Sequence, residues 1–161
     1  MLDKGQLLQG NLSSENLKTV GVVTARFNSE VTDKLERGAV DRLLELGLQA
    51  EQILRVRVPG AVEVPLAAKA LLDRGCQGVV ALGAVIRGET SHYDYVCRTV
   101  ERGCAQLQLE YKKPVAFGVL TTENEEQALD RAGGSMGNKG AEAADVMVEM
   151  IQLLREIEPN K

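Results

Sequence analysis

The sequence predicts an α/β fold, a parallel sheet with helices on both faces, and three observations carry the prediction. Short apolar runs bounded by glycine or proline alternate, four times, with longer stretches whose apolar residues recur every three or four positions. Such alternation builds βαβ units around a parallel sheet. The chain has 161 residues, 44% hydrophobic and 26% charged, which suits one domain over residues 1–161 with a substantial core. The residues least expected of a plain core gather where the apolar runs end, the edge at which open α/β sheets bind ligands.

Taken in order, Gln6–Leu12 is a short apolar segment outside the alternation, expected as a lone strand within an N-terminal arm of residues 1–17. Thr19–Ala25 is the first strand of the series. Arg26-Phe27-Asn28-Ser29 then turns into a helix with Val31, Leu35, Ala39, Leu43 and Leu46 on one face, ended by Gly47. Ile53–Val58 is the second strand, stopped by Pro59-Gly60. A helix from about Glu63 to Asp73 tolerates Pro65 in its first turn and closes at Gly75. Gly78–Leu82 is the third strand. Its helix carries Tyr93, Cys97, Val100, Cys104, Leu107 and Tyr111 on one face and is broken at Lys112-Lys113-Pro114. Val115–Leu120 is the fourth strand. Asn124 caps a short helix ending near Arg131–Gly134, and a last helix runs from about Asn138 to Glu156 with Ala141, Ala144, Val148, Ile151 and Leu154 inward.

The stretch Gly83-Ala84-Val85-Ile86-Arg87-Gly88-Glu89-Thr90-Ser91-His92-Tyr93-Asp94 is the centre of the chain. Read as a strand-to-helix turn, it sets free backbone N–H groups and the positive end of a helix dipole around an anion, with Thr90 and Ser91 available as caps. Its glycine spacing approaches a triphosphate loop, but Glu89 stands where that loop needs lysine, which excludes a triphosphate. His92, the only histidine, falls in the first helical turn, where the dipole opposes a positive charge; a neutral imidazole can both take and give a proton. The plain alternative is an ordinary βα turn without a ligand.

Composition removes other classes. A net charge of −4 with no basic block speaks against nucleic acid. Cys76, Cys97 and Cys104 form an odd set without a C-x-x-C pair and are expected as small core residues; with one histidine, no zinc centre is expected. No apolar run reaches membrane-spanning length and Met1–Gln6 lacks a signal pattern, so the expected location is the cytoplasm.

Five blocks of the chain resemble, in order, those of the lumazine synthase family: Ala25-Arg26-Phe27-Asn28, Val58–Pro65, Gly83–Asp94, Leu120-Thr121-Thr122-Glu123-Asn124 and Gly137-Asn138-Lys139-Gly140. The resemblance covers nearly the whole chain and implies a flavodoxin-like, four-stranded sheet. It also implies the penultimate reaction of riboflavin biosynthesis, in which 5-amino-6-(D-ribitylamino)uracil condenses with 3,4-dihydroxy-2-butanone 4-phosphate to 6,7-dimethyl-8-ribityllumazine. Imine formation, loss of phosphate, tautomerisation, ring closure and loss of water need no cofactor, and none is expected.

By the same resemblance Phe27 stacks on the pyrimidine and Asn28 contacts it. Ala61, Val62 and Glu63 meet the ribityl chain and ring, Ala84, Val85 and Ile86 act through their backbones, and Phe117 completes the ring site. Glu89, through its backbone N–H, and Thr90 hold the phosphate with Arg131 and Lys139, and His92 donates and accepts protons. Val62 departs from the family, which usually has an aromatic residue there. Local readings stand beside these: Phe27 as a rim residue packing under the next helix, Asn28 as a helix cap, Glu63 as a carboxylate favoured by the dipole, Arg131 as a charge at a helix end, and Lys139 with Glu142 as a surface pair. The resemblance further implies a ring of five subunits whose N-terminal strands join neighbouring sheets, with Phe117, Arg131 and Lys139 contributed by the neighbour. Ala132–Gly140 is the short form of the turn that accompanies sixty-subunit shells, and the family allows association with riboflavin synthase. A flavin or nucleotide carrier and a purely structural shell protein are the other classes; Phe27, His92 and Arg131 together speak against the last, since assembly requires none of them.

Overall fold

Four parallel strands, β1 (Val20–Ala25), β2 (Ile53–Val58), β3 (Val79–Ile86) and β4 (Val115–Thr122), form the sheet of the computed structural model, which describes residues 4–158. Their order is β2-β1-β3-β4. The chain thus leaves β1 for one edge and later crosses back over it to β3. Right-handed crossovers running in opposite directions put their helices on opposite faces. Accordingly α1 (Ser29–Glu45) and α5 (Lys139–Ile157) cover one face, and α2 (Val64–Arg74) and α3 (His92–Tyr111) the other. This is the flavodoxin-like arrangement. Each face has its own core: Val20, Val22, Val80 and Leu82 pack with Leu35, Leu43 and Met147 on the first, Val23, Ala81 and Val119 with Leu72, Val100 and Leu107 on the second. The central strand β3 is apolar almost throughout because both of its faces are covered. On the edge strand β2, Arg55 and Arg57 alternate outward and pair with Glu36 of α1 at 3.0 and 3.1 Å, satisfying a carboxylate that is almost wholly buried.

Two strands outrun their predicted ends. β3 continues through Gly83-Ala84-Val85-Ile86, expected as part of a turn, and β4 continues to Thr122. They stabilise each other, pairing in unbroken register from Val79↔Val115 to Ile86↔Thr122, whereas β1 pairs with β3 only as far as Thr24↔Leu82. The turn is therefore confined to residues 87–91. Between α4 (Glu125–Asp130) and α5 an unpredicted antiparallel hairpin forms from β5 (Ala132–Gly134) and β6 (Gly137–Asn138).

The Gly137–Gly140 block has a packing reason. Gly137 sits at φ +76°, and a Cβ on Gly140 would lie 2.1 Å from the carbonyl oxygen of Leu35, so α1 and α5 touch backbone to backbone there. Asn138 joins the two helices: its side-chain oxygen accepts the N–H groups of Gly140 and Ala141 at 2.8 and 3.1 Å, and its amide donates to Lys34 O at 3.0 Å.

Gln6–Leu12, expected as a short strand, has no ladder partner among the described residues. The arm instead crosses α5. Gly10 lies against the Glu149 backbone, and Gln152 Nε2 donates to the carbonyls of Ser13 and Glu15 at 2.7 and 3.1 Å. Leu7 stays 84% exposed.

Candidate active site

The sheet order creates the site before any side chain is considered. Where neighbouring strands send their connections to opposite faces, a crevice opens at their C-terminal ends. Here those strands are β1 and β3, and the longer β3 stands proud of β1. The N–H of Arg87 is taken by Thr122 O on β4 at 2.8 Å. Strand alternation then turns the peptide groups of Ile86 and Ala84 the other way, past the end of β1. Asn28 Nδ2 donates to Ala84 O at 2.8 Å, which marks that side. A cleft of about 280 Å³ lies there, lined by the connections after β1, β2 and β3.

Most of the residues singled out in the sequence meet in this cleft: Phe27 and Asn28 after β1, Ala61, Val62 and Glu63 after β2, and Ala84, Val85, Ile86, Thr90 and His92 from β3 to α3. Phe27 is 71% exposed, so it is no rim packing residue but an uncovered ring at the cleft mouth. Asn28 occupies the cap position of α1 with φ 64°, yet makes no side-chain cap; its amide is turned to β3 instead. Glu63 ends the helical turn Ala61–Glu63, and its Oε1 accepts the Gly60 N–H at 2.9 Å, leaving the other oxygen for a hydroxyl. His92 is the first residue of α3 and exposed; its N–H donates to Thr90 Oγ1 at 3.3 Å, while Ser91 makes no side-chain cap. Glu89 is exposed and does not line the cleft.

Phe117, Arg131 and Lys139 lie elsewhere. They line a second cleft, of about 390 Å³, between β4 and the start of α5, together with Glu142. The hairpin missed in the sequence brings the two cations side by side: the Lys139 N–H donates to Arg131 O at 2.9 Å. Arg131 Nη1 is steadied by Gln127 O at 2.9 Å, and Lys139 Nζ pairs with Glu142 at 3.1 Å. Phe117 is 45% exposed. Both phenylalanines of the chain are thus uncovered, one in each cleft, which is unusual for a side chain that normally fills cores.

Four lining residues escaped the sequence reading as site residues: Gly60, Gly88, Tyr93 and Val96. Tyr93 was assigned to the apolar face of α3. It is half-buried there, and burial together with Cys97 pushes its hydroxyl above the usual range. Its position one residue after His92 was the available signal. Burial likewise pushes the Cys104 thiol up to about 11, as befits a core residue.

The model of the 6,7-dimethyl-8-ribityllumazine synthase family matches residues 18–155. The chain is 63% identical over 138 residues to a protein of that name from Bdellovibrio bacteriovorus, covering 86% of this chain and 76% of the relative. It is 56% identical over 146 residues to one of the same name from Coxiella burnetii, covering 90% of this chain and 97% of the relative.

Proposed function

The chain belongs to the 6,7-dimethyl-8-ribityllumazine synthase family, and from that premise we propose that its working site joins the first cleft of one copy to the second cleft of the next. The enzyme is a transferase of riboflavin biosynthesis. It condenses 5-amino-6-(D-ribitylamino)uracil with 3,4-dihydroxy-2-butanone 4-phosphate, yielding the lumazine, phosphate and water. The observation that carries the proposal is the division of the site residues between two separate clefts. The first offers an aromatic ring, open backbone groups and an imidazole. The second offers the two cations and another exposed ring.

In the proposed arrangement the pyrimidine lies between Phe27 and Phe117 and bonds peptide groups at the end of β3, while its ribityl hydroxyls reach Glu63. The phosphate sits over the amides of the 87–91 turn at the start of α3. That turn cannot hold a dianion by charge alone. Arg87 is already paired with Glu123 at 2.8 Å, and Glu89 adds a negative charge of its own. Arg131, whose guanidinium can fork onto phosphate, and Lys139 supply the missing charge from the neighbouring copy.

His92, beside Thr90, takes the proton released as the amine attacks the ketone and returns one to the departing hydroxyl. Phosphate then leaves, and the ribityl-bearing nitrogen closes the ring with loss of water. Holding two substrates in register contributes up to about 7–11 kcal/mol and proton transfer about 10²–10⁴-fold.

A contact that joins unlike surfaces is heterologous and closes into a ring when its rotation is a whole fraction of a turn. Five subunits per ring, and twelve rings in a shell, are the reading that the family resemblance and the short Ala132–Gly140 connection support. The uncovered Leu7 and Leu8 and the unpaired outer edge of β2 suit an arm that adds to a neighbouring sheet. Among the described residues no helix is long and apolar enough to cross a membrane, and the reading places the enzyme in the cytoplasm. Absorbance of lumazine formed from the two substrates tests the function; purified protein that binds flavin but forms no lumazine would mark a carrier instead.

A further inference from the structure

The chain turns through residues 87–91 between β3 and α3, and the proposed function asks this turn to present its amides and His92 to a phosphate. A short, exposed turn needs something to hold it in shape. Arg87 stands at its first position and reaches three groups beyond it. Its Nε donates to Glu123 Oε2 at 2.8 Å, its Nη1 lies 3.7 Å from Asp94 Oδ1, and its guanidinium stacks 4.2 Å from the centre of the Tyr93 ring. Glu123 directly follows β4; Tyr93 and Asp94 form the first turn of α3. One side chain therefore ties the near end of the turn to its far end and to the adjoining strand. Tyr93 carries the contact inward, because its ring lines the first cleft.

We propose that Arg87 is a positioning residue whose clasp on Tyr93, Asp94 and Glu123 sets the phosphate-binding turn and His92 in their working geometry. The proposal rests on the site reading given above. Arg87 does not itself line the cleft. Two carboxylates and a ring already engage its guanidinium, so its effect passes through the turn rather than through charge on the substrate. Its side chain is 39% exposed, and exposed ion pairs contribute little to global stability. Misplacement of reacting groups by about 1 Å, by contrast, costs up to about 10²-fold in rate.

The test compares wild type, Arg87→Ala and Arg87→Lys in the assembled enzyme, by kinetics, phosphate inhibition, melting temperature and hydrogen–deuterium exchange. Arg87→Ala should lower kcat by about tenfold and raise KM for the butanone phosphate and the inhibition constant of inorganic phosphate together, by about tenfold, with KM for the pyrimidine within about twofold. Its melting temperature should stay within about 3 °C of wild type. Exchange should accelerate in peptides covering residues 87–96 and not in those from β1 or α5. Arg87→Lys, which keeps the charge but loses the stacked fork, should fall between. Unchanged phosphate KM and exchange in Arg87→Ala would overturn the clasp while leaving the enzyme's function standing. A large fall in melting temperature with both KM values rising alike would also overturn it, as a merely structural role. A wild type that forms no lumazine would sink the site reading instead, and the exchange contrast would still decide whether the clasp holds the turn.

Discussion

His92→Ala should lower kcat by about 10²–10⁴-fold and change either KM little, because the imidazole moves protons rather than anchoring a substrate. Steady-state kinetics with each substrate varied in turn measures this, and wild-type turnover would remove His92 from the chemistry. At this scale much was legible. A lone histidine at the start of a helix, and aromatic or acidic residues at strand ends, stand out against a core of Val, Leu, Ile and Ala. Orientation was not legible. Asn28 was readable as a helix cap, yet a left-handed backbone carries its amide to Ala84 O. Phe27 was readable as packing or stacking, and its exposure speaks against packing. Tyr93 was hidden by the periodicity of α3, since a residue on an apolar helical face can also wall a cleft.

Among the elements, the contact of α1 with α5 allows a sharp forecast. Gly140→Ala would put a methyl 2.1 Å from a backbone oxygen that has nowhere to move, so the helices must separate. Overpacking of this kind costs about 1–3 kcal/mol, read as a shift in urea midpoint at unchanged slope. A midpoint equal to wild type would show that the crossing is looser than described. Apolar runs placed all four sheet strands and helical period placed α1, α3 and α5, while α2 and α4 were placed by Pro65, Gly75 and the Asn124 cap. The ends of β3 and β4 were misplaced because Gly83 looks like punctuation and the apolar run stops at Leu120 before two threonines; pairing between the two strands overrides both signals. The hairpin β5–β6 carries no period at all, being set by Gly133 and Gly137 at positive φ. Gln6–Leu12 has apolar residues but no partner among the described residues of its own chain, and single-chain patterning cannot say whose edge it would join.

At the scale of the whole molecule, the proposed assembly depends on contacts beyond one chain. From a 17.4 kDa chain, a ring of five is about 87 kDa and a shell of sixty about 1 MDa. Light scattering at neutral pH should report the larger particle; a lone ring peak would defeat the shell, and an active monomer would defeat the shared site altogether.

The separation of the clefts also has a genetic meaning. His92 and Arg131 lie on the same chain but serve different reaction centres in the proposed ring. A chain carrying His92→Ala still lends a sound cationic half to its neighbour, and one carrying Arg131→Ala still lends a sound imidazole. Two dead alleles expressed together should therefore complement. In randomly mixed rings about a quarter of the centres receive both intact halves, being the product of two even chances. Activity should appear on co-expression at roughly that fraction of wild type. It should stay absent when the two proteins are mixed after assembly, unless rings exchange subunits. A doubly substituted chain has no such remedy: co-expressed with either single variant, it should give no active centre with both halves intact.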